Sequence, residues 1–359
     1  MISSVNPIDT SPGLRSPSIT FRSRAPLRLG LAGGASDVSP FCDLYGGYVL
    51  NATIDAYAYC HLVPTTENSI RFTAVDREES FTAESNATLS GEGPLPLHRA
   101  VHNRIVRDFN RGEPLSLNLT TASDAPFGSG LGASSTLVVA IIQAYAEWLK
   151  LPLGEYDVAQ LAFSIEREDA GLLGGRQDQY AATFGGFNFM EFYSENRVIV
   201  NPLRIRENTL RELESSIVLY YSGVSRASAD VIRDQASRIT GQNREAIAAT
   251  QELKQDAVAM KEALLKGTIR EMARVLGRSW DAKKRIAAGV NNNAIDQAYQ
   301  AAMNAGAYSG RISGAGGGGF IIFMTDPVQK YEVARALKAC GGYVFPFHFS
   351  ELGAHAWRA

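Results

Sequence analysis

A glycine-rich segment, residues 126–135, carries the clearest sign of chemistry in this sequence. Its glycines at alternate positions, Gly128, Gly130 and Gly132, remove side chains where a large anion would contact the backbone. The apolar stretch 136–149 that follows predicts a helix. Unpaired N–H groups and the positive end of a helix dipole would therefore meet at the loop. The segment predicts a phosphate-binding loop of the kind that grips a nucleotide.

The loop differs from two common nucleotide motifs. It lacks the Lys-Ser/Thr ending of a P-loop. It matches a dinucleotide-binding fingerprint only in part, because residues 147–155 indicate a helix end and a turn where that fold needs an acidic residue closing a second strand. A tight turn that packs a helix against a sheet therefore stays open as an alternative.

Two further segments are rich in glycine. Residues 24–37 read RAPLRLGLAGGASD, and residues 313–319 read SGAGGGG. Glycines allow a backbone to approach a ligand closely. The alternative for 313–319 is a cluster of tight turns before a buried strand, although a turn requires fewer glycines.

The elements around these segments mix strands and helices without regular alternation, which predicts an α+β protein. The first half is predicted to contain strands at 19–31, 48–63, 115–119 and 186–192, and helices at 97–109, 136–149 and 156–169. The second half is predicted to contain strands at 217–221, 320–324 and 343–349, several helices up to about residue 305, and a helix at 327–339.

A charged, less regular stretch near 193–212 places a domain boundary there. The predicted units are a loosely ordered Ser- and Pro-rich tail at 1–18, an N-terminal domain at 19–205 and a C-terminal domain at 206–359.

Composition excludes several classes of protein. The 359 residues carry a net charge of −2, so no global field attracts nucleic acid or an anionic membrane. No apolar run is long enough for a membrane span. The three widely separated cysteines favour a reducing compartment, and we expect a cytoplasmic protein. Its expected partners are small molecules, with a homo-oligomer left open.

The three glycine-rich segments, in this order and at these separations, are similar to the signature motifs of the GHMP kinase superfamily. Residues 31–38 and 45–51 resemble its sugar-1-kinase branch, most of all the D-glycero-α-D-manno-heptose 7-phosphate kinases. The resemblance covers almost the whole chain from about Ile19. It implies a GHMP kinase fold, with an N-terminal domain like ribosomal protein S5 domain 2, a ferredoxin-like C-terminal domain and the active site between them.

The resemblance also implies an activity. The chain would phosphorylate the anomeric hydroxyl of a heptose 7-phosphate, with ATP as co-substrate and Mg²⁺ to offset phosphate charge. The 1,7-bisphosphate product would serve the synthesis of nucleotide-activated heptose for surface polysaccharide. The expected contacts to ATP are Gly128, Ser129, Gly130, Leu131, Gly132, Ala133, Ser134 and Ser135.

Catalytic roles follow from the same resemblance. Glu166, twelve residues before Asp178, matches the galactokinase-like pattern of a metal-binding glutamate followed by the catalytic aspartate. Asp178 would accept or orient the proton of the anomeric hydroxyl. Arg28 would stabilise negative charge on Asp178 and on the moving phosphoryl group. Mevalonate kinases have a metal-binding serine where this chain has Ala133, so Ser134 is the expected second metal ligand.

The resemblance assigns further residues to the substrate. Gly34 stands where galactokinases have a sugar-contacting glutamate, which argues against galactose. Asp37 would accept hydrogen bonds from sugar hydroxyls. The expected substrate contacts are Asp37, Gly34, Gly175, Ser225, Arg226, Gly316 and Gly317.

The sugar phosphate needs a second anion site. Ser225 and Arg226 open a predicted helix and are our candidates for it. Arg104, Arg107 and Arg111 compete with them, although a solvated helix face explains these three arginines equally well.

Each of the charged candidates has a purely structural alternative. Asp178 could cap a short helix, Glu166 could be a solvated charge, and Asp37 could belong to an Asx turn. Arg28 could pair with any surface acid. At the level of function, the alternatives are another sugar-1-kinase, acting on fucose or a related hexose, and a sugar-sensing homologue without catalysis.

Overall fold

The computed structural model describes residues 19–86, 88–223 and 228–359, and the predicted tail at 1–18 lies outside this part. The described strands are β1 (Phe21–Ala32), β2 (Gly47–Pro64), β3 (Ser69–Ala74), β4 (Glu79–Glu84), β5 (Leu117–Ser123), β6 (Phe187–Phe192), β7 (Val198–Pro202), β8 (Ile217–Tyr221), β9 (Ala307–Ile312), β10 (Phe320–Thr325), β11 (Tyr343–Phe345) and β12 (His355–Arg358).

Helices and strands alternate irregularly along the chain, as expected for an α+β protein. The described helices are α1 (Phe41–Tyr45), α2 (Pro96–Phe109), α3 (Ala133–Leu149), α4 (Glu155–Ser164), α5 (Gln177–Phe184), α6 (Glu207–Ser216), α7 (Ser228–Thr240), α8 (Arg244–Lys266), α9 (Ile269–Ile286), α10 (Asn293–Asn304) and α11 (Lys330–Lys338).

The strands form two sheets. The first has the order β12-β1-β2-β5-β3-β4, and β6 and β7 extend from the other half of the long β2. The second is antiparallel with the order β11-β8-β10-β9. One cluster of buried apolar side chains joins the two sheets and includes Leu27, Leu50, Leu219 and Ile322. The two predicted domains therefore share part of their core.

Helix α3 fixes the glycine loop against the first sheet. The helix is apolar on most sides, as expected for a helix packed on several neighbours. Val138, Ile141 and Tyr145 are completely buried, and the helix contacts β1, β2, α4 and α5. Its N-terminus, where the glycine loop ends, is thereby held rigidly.

Two predicted elements end earlier than expected. The helix predicted at 156–169 is α4 followed by a π-helical turn, Ile165–Asp169, in which Ala170 N–H donates to the Ile165 carbonyl. The strand predicted at 343–349 stops at Phe345, because Pro346 has no N–H for the ladder and the chain crosses to the first sheet, where Phe349 bridges to Ile54.

The predicted division at 205 and 206 separates most elements of the two sheets. However, β12 pairs with β1, so the last residues of the predicted C-terminal domain belong to the first sheet. The stretch 193–212, expected to be irregular, holds β7 and the start of α6. Among the described helices none is both long and apolar enough to span a bilayer.

Candidate active site

A cavity of about 330 Å³ lies between the glycine loop and the second sheet. Residues of both halves of the chain line it, among them Arg28, Glu166 and Asp178 from the first half and Lys283 and Arg311 from the second. We call the first group, with Asp37, the N-terminal wall. Lys283 and Arg311 form the C-terminal wall.

The glycine loop has the conformation of an anion cradle. Gly128, Gly130 and Gly132 have φ angles of 73°, 88° and 79°, which residues with side chains rarely adopt. Gly132 is the N-cap of α3, and no side chain caps that helix. The first N–H groups of α3 are thus free of a side-chain cap, and they point toward the cavity end of the helix. These features suit the phosphates of a nucleotide.

Only part of the predicted ATP contact set lines the cavity. Ser129 and Leu131 are buried away from it. The Leu131 carbonyl accepts from Arg28 N–H at 3.1 Å, and the Ser129 carbonyl accepts from Phe320 N–H at 2.8 Å. These two residues anchor the loop to both sheets. The cavity-lining members of the set are Gly128, Gly130, Gly132, Ala133, Ser134 and Ser135.

Asp178 lies directly beside the loop. A Cβ atom placed on Gly132 would be 3.3 Å from Asp178 Oδ2. Arg28 Nε donates to Asp178 Oδ1 at 2.7 Å, and Arg28 Nη2 lies 2.6 Å from the same oxygen. Both Arg28 contacts are to Oδ1, and Oδ2 lies on the side of the glycine loop. The predicted pair of Asp178 and Arg28 is therefore assembled at the phosphate cradle.

Asp37 holds the helix that carries Asp178. Its Oδ2 accepts from the backbone N–H groups of Arg176 and Gln177 at 3.0 and 3.1 Å, at the N-terminus of α5. Its Oδ1 accepts from Ala35 N–H and from Gln177 Nε2. These donors occupy the four acceptor sites of the carboxylate. In the structure Asp37 acts as a cap for α5, supplied from a distant part of the chain.

Gly175 is a glycine because of Asp37. A Cβ atom at position 175 would lie 2.0 Å from Asp37 Oδ2. Both Gly175 and Gly34, predicted substrate contacts, line the cavity.

Glu166 lies at the base of the loop and is 2% exposed. Its Oε1 accepts from Ser134 Oγ at 3.0 Å, and its Oε2 accepts from Ser135 Oγ at 2.6 Å and from Gln179 Nε2 at 2.6 Å. The π-helical turn points this carboxylate inward, and such turns are frequent at functional sites. Glu166 is therefore a buried, hydrogen-bonded carboxylate, not a solvated one.

The oxygen atoms around Glu166 suit Mg²⁺. Within the described ranges no group of three or more His, Cys, Asp or Glu side chains could hold a metal. Mg²⁺ does not need such a group, because it commonly takes one or two carboxylates and fills its shell with water and substrate phosphates. Glu166 with the hydroxyls of Ser134 and Ser135 supplies the required oxygen donors beside the phosphate cradle.

The third glycine segment contributes a different pair of residues from those predicted. Gly314 and Ala315 line the cavity. Gly316 and Gly317 pack behind it instead: Gly317 N–H donates to the Val290 carbonyl at 2.8 Å, and a Cβ on Gly316 would lie 2.9 Å from that oxygen. Gly316 and Gly317 thus contact the second half of the chain, and their contact with substrate stays a prediction.

The C-terminal wall holds two buried basic side chains that the sequence did not predict. Burial lowers the pKa of Lys283 well below its usual range, and repulsion from Arg311 and Arg28 adds to this. Burial lowers the pKa of Arg311 to about 10, against the attraction of Asp256 and Asp37. Lys283 gave no signal because the run Lys283-Lys284-Arg285 is typical of a solvated helix end. The position of Arg311 just before the third glycine segment was the one available sign.

The three arginines that compete for the second phosphate do not line the cavity. Ser225 and Arg226 lie outside the described residues. Arg104 forms a two-contact ion pair with Asp169, and Arg107 pairs with its neighbour Asp108. Arg104 and Arg107 line a separate hollow beside α2, and Arg111 lines neither.

The fold and the site together define a phosphotransferase with its cleft between two sheets. Residues 97–186 match the GHMP kinases N terminal domain, and residues 260–342 match the GHMP kinases C terminal family. The chain is 49% identical to D-glycero-alpha-D-manno-heptose 7-phosphate kinase of Campylobacter jejuni over 94% of this chain and 99% of that protein.

The fold of this chain also matches those of solved structures. A crystal structure of a D-glycero-D-manno-heptose 1-phosphate kinase from Bacteriodes thetaiotaomicron is 47% identical, with a TM-score of 0.81 over 94% of this chain and 99% of that one. Lactococcus lactis galactokinase, at 17% identity and a TM-score of 0.71 over 95% of each chain, shares the fold. The chain belongs to the GHMP kinase family, whose co-substrate is ATP, and the predicted family and fold are confirmed.

Proposed function

We propose that this protein transfers the γ-phosphoryl group of ATP to the anomeric hydroxyl of D-glycero-D-manno-heptose 7-phosphate. The product is the 1,7-bisphosphate. The reaction takes place in the cytoplasm and supplies nucleotide-activated heptose for surface polysaccharide. The single observation that supports this reaction type is the position of the Asp178 carboxylate beside Gly132 of the glycine loop. Arg28 bonds to Oδ1, so Oδ2 is available for the acceptor hydroxyl.

The N-terminal wall supports the binding of ATP with its phosphates at the glycine loop and its adenine base against apolar side chains of the cavity. The amides of 128–135 receive the phosphates, since the uncapped start of α3 offers N–H donors and a positive dipole end there. The exposed apolar side chains Leu172 and Leu173, together with Phe127, line the same cavity. They offer the apolar surface that the adenine base would cover.

We also propose that Mg²⁺ binds beside the glycine loop. Glu166, Ser134 and Ser135 would hold it, and the ion would supply charge neutralisation of the nucleotide phosphates. The residues themselves keep the carboxylate of Glu166 fixed through Gln179, so that its position does not depend on the ion.

Asp178 and Arg28 perform the proton and charge steps. Oδ2 of Asp178 accepts the proton of the anomeric hydroxyl. The hydroxyl oxygen bonds to the γ-phosphorus, the bond between that phosphorus and the ADP oxygen breaks, and ADP leaves. Arg28, 3% exposed, orients Asp178 through Oδ1 and places positive charge beside the moving phosphoryl group. Asp37 holds α5, so the distance from Asp178 to the loop is set before substrates bind.

The choice of sugar rests on the relatives. Two proteins that are nearly half identical to this chain carry heptose phosphate kinase names, one for the 7-phosphate and one for the 1-phosphate. The two names differ in which carbon of the heptose substrate already carries a phosphate. We favour the 7-phosphate because residues 31–38 and 45–51 resemble the sugar-1-kinase branch, which phosphorylates the anomeric hydroxyl, and a heptose 1-phosphate has no free hydroxyl there.

The test is a panel of acceptors with product analysis. Purified protein with MgATP is given heptose 7-phosphate, heptose 1-phosphate, free heptose, fucose, mannose and galactose, and ADP release is measured. We expect turnover on heptose 7-phosphate, with phosphorus NMR showing a new phosphate on C1. Turnover on fucose or another free hexose, without turnover on heptose 7-phosphate, contradicts the proposal.

A further inference from the structure

The two basic side chains of the C-terminal wall have no acidic partner among the residues that the structure describes. Lys283 is 1% exposed, and its Nζ donates to the Gly314 carbonyl. Arg311 is 2% exposed, and its Nη2 makes a long contact of 3.5 Å to the Gly34 carbonyl. Within the described ranges, Nε and Nη1 of Arg311 have no hydrogen-bond partner. Buried charges without partners are costly, and burial accordingly lowers the pKa of Lys283, so an anion that enters the cavity would stabilise the protonated lysine and pair with Arg311.

The carboxylates of Asp256 and Asp37 are already hydrogen-bonded to groups other than Lys283 and Arg311. Asp256 accepts from Arg278 Nε and from Ser279 Oγ, both at 2.7 Å. Asp37 has its acceptor sites filled by N–H donors at the start of α5. Neither carboxylate forms an ion pair with Lys283 or Arg311, so the balancing anion has to come from the ligand that enters the cavity.

Under the proposed function, the ATP phosphates have donors other than Lys283 and Arg311. They have the amides of 128–135 and the guanidinium of Arg28, which is fixed by Asp178 and by the Gly130 carbonyl at 2.7 Å. The acceptor that we propose carries a second phosphate, which is not transferred. That phosphate is the anion still without a site.

We propose that Lys283 and Arg311 bind the non-transferred phosphate of the sugar and so select a phosphorylated acceptor over a free sugar. The proposal rests on the proposed function, since it assigns a site to the phosphate of that substrate. A guanidinium and an ammonium on one wall offer charge-assisted donors to several phosphate oxygens at once.

Gly34 keeps the approach to Arg311 open. A Cβ atom on Gly34 would lie 3.4 Å from Arg311 Nη2 and 3.3 Å from Gln177 Nε2. A carboxylate side chain at position 34 would therefore reach the guanidinium and neutralise it within the protein. Because residue 34 is a glycine, the charge of Arg311 stays available for the ligand.

The experiment compares heptose 7-phosphate with free heptose as acceptors for the full-length enzyme at saturating MgATP. Arg311→Met and Lys283→Met each remove the basic group and keep an unbranched apolar side chain. The control variants are Arg274→Met and Lys284→Met, which remove exposed charges from the same helix as Lys283. We expect KM for heptose 7-phosphate to rise by about tenfold or more in each wall variant. KM for free heptose should change by less than about threefold, and the controls should match the wild type.

A third variant tests the role of position 34. Gly34→Glu should raise KM for heptose 7-phosphate by about tenfold relative to Gly34→Ala, which adds only the Cβ atom. The corresponding ratio of KM values should be smaller for free heptose, which carries no phosphate to bind Arg311.

Two results overturn the proposal and are distinct from each other. If wild-type enzyme phosphorylates heptose 7-phosphate, and the wall variants keep its KM or lose kcat equally with both acceptors, the phosphate site is refuted and the proposed function stands. If wild-type enzyme phosphorylates free sugars and not heptose 7-phosphate, the proposed function fails and the phosphate site fails with it.

Discussion

The two walls of the cleft differ in how their charges are balanced. On the N-terminal wall every acidic group has close internal donors: Asp178 has Arg28, Glu166 has two serines and Gln179, and Asp37 has the start of α5. On the C-terminal wall, Lys283 and Arg311 are equally buried and lack acidic partners within the described residues. A balanced wall holds catalytic groups in place before substrate arrives, whereas an unbalanced one is completed by its ligand.

The largest expected effect comes from the N-terminal wall. Asp178→Asn removes the proton acceptor beside Gly132, and kcat should fall by about a thousandfold. Binding of ATP, measured by calorimetry, should change by less than about threefold, because the loop amides are untouched. Asp169→Asn, which alters an aspartate outside the cavity, is the matched control. A kcat within about tenfold of wild type for Asp178→Asn would show that this carboxylate is not the catalytic group.

The next effect tests whether the N-terminal wall is set in advance. Gly175→Ala puts a Cβ atom 2.0 Å from Asp37 Oδ2, so Asp37 must move and the start of α5 with it. Asp178 would then be displaced, and kcat should fall by about 100-fold. Gly91→Ala is the control, since a Cβ atom there meets nothing within 4 Å. Equal kcat values for the two variants would mean that Asp37 does not position Asp178.

Thermal stability without ligand gives a direct comparison of the walls. Glu166→Gln breaks a satisfied network, since an amide N–H₂ would face hydroxyl or amide donors, and it should lower the free energy of unfolding by about 1–3 kcal/mol. Arg311→Met removes an unpaired buried charge and should leave stability within about 1 kcal/mol of wild type or raise it. Glu168→Gln and Arg274→Met are exposed controls. Strong destabilisation by Arg311→Met would reveal a counter-ion and remove the contrast between the walls.

The smallest effect is a pH dependence from the C-terminal wall. Burial holds the pKa of Lys283 well below its usual range, whereas in the unfolded chain it is about 10.4. Between these two values the unfolded state binds more protons, so the lysine makes stability rise with pH. Wild type should therefore gain melting temperature relative to Lys283→Met as the pH rises toward about 10. A difference that stays constant with pH would contradict the lowered pKa.

The sequence predicted the N-terminal wall far better than the C-terminal one. The glycine loop, Arg28, Glu166 and Asp178 belong to local motifs, and the structure brings all of them to one cavity. The role of Asp37 was predicted as a sugar contact, and its contacts with Arg176 and Gln177 were not foreseen, because they join residues about 140 positions apart. Ser225 and Arg226, the predicted phosphate residues, lie outside the described part, so that prediction stays untested.

The sequence by itself determined the α+β class, the family and the glycine loop before α3, because residue pattern, glycine spacing and helix entry are local features of the chain. Only the tertiary structure decided which charges are buried together. Lys283 on a helix and Arg311 on a strand look like ordinary basic residues, and the loss of solvent that makes them a site arises when the second sheet packs against the loop. Desolvation depends on neighbours from the whole chain, and no local pattern encodes it.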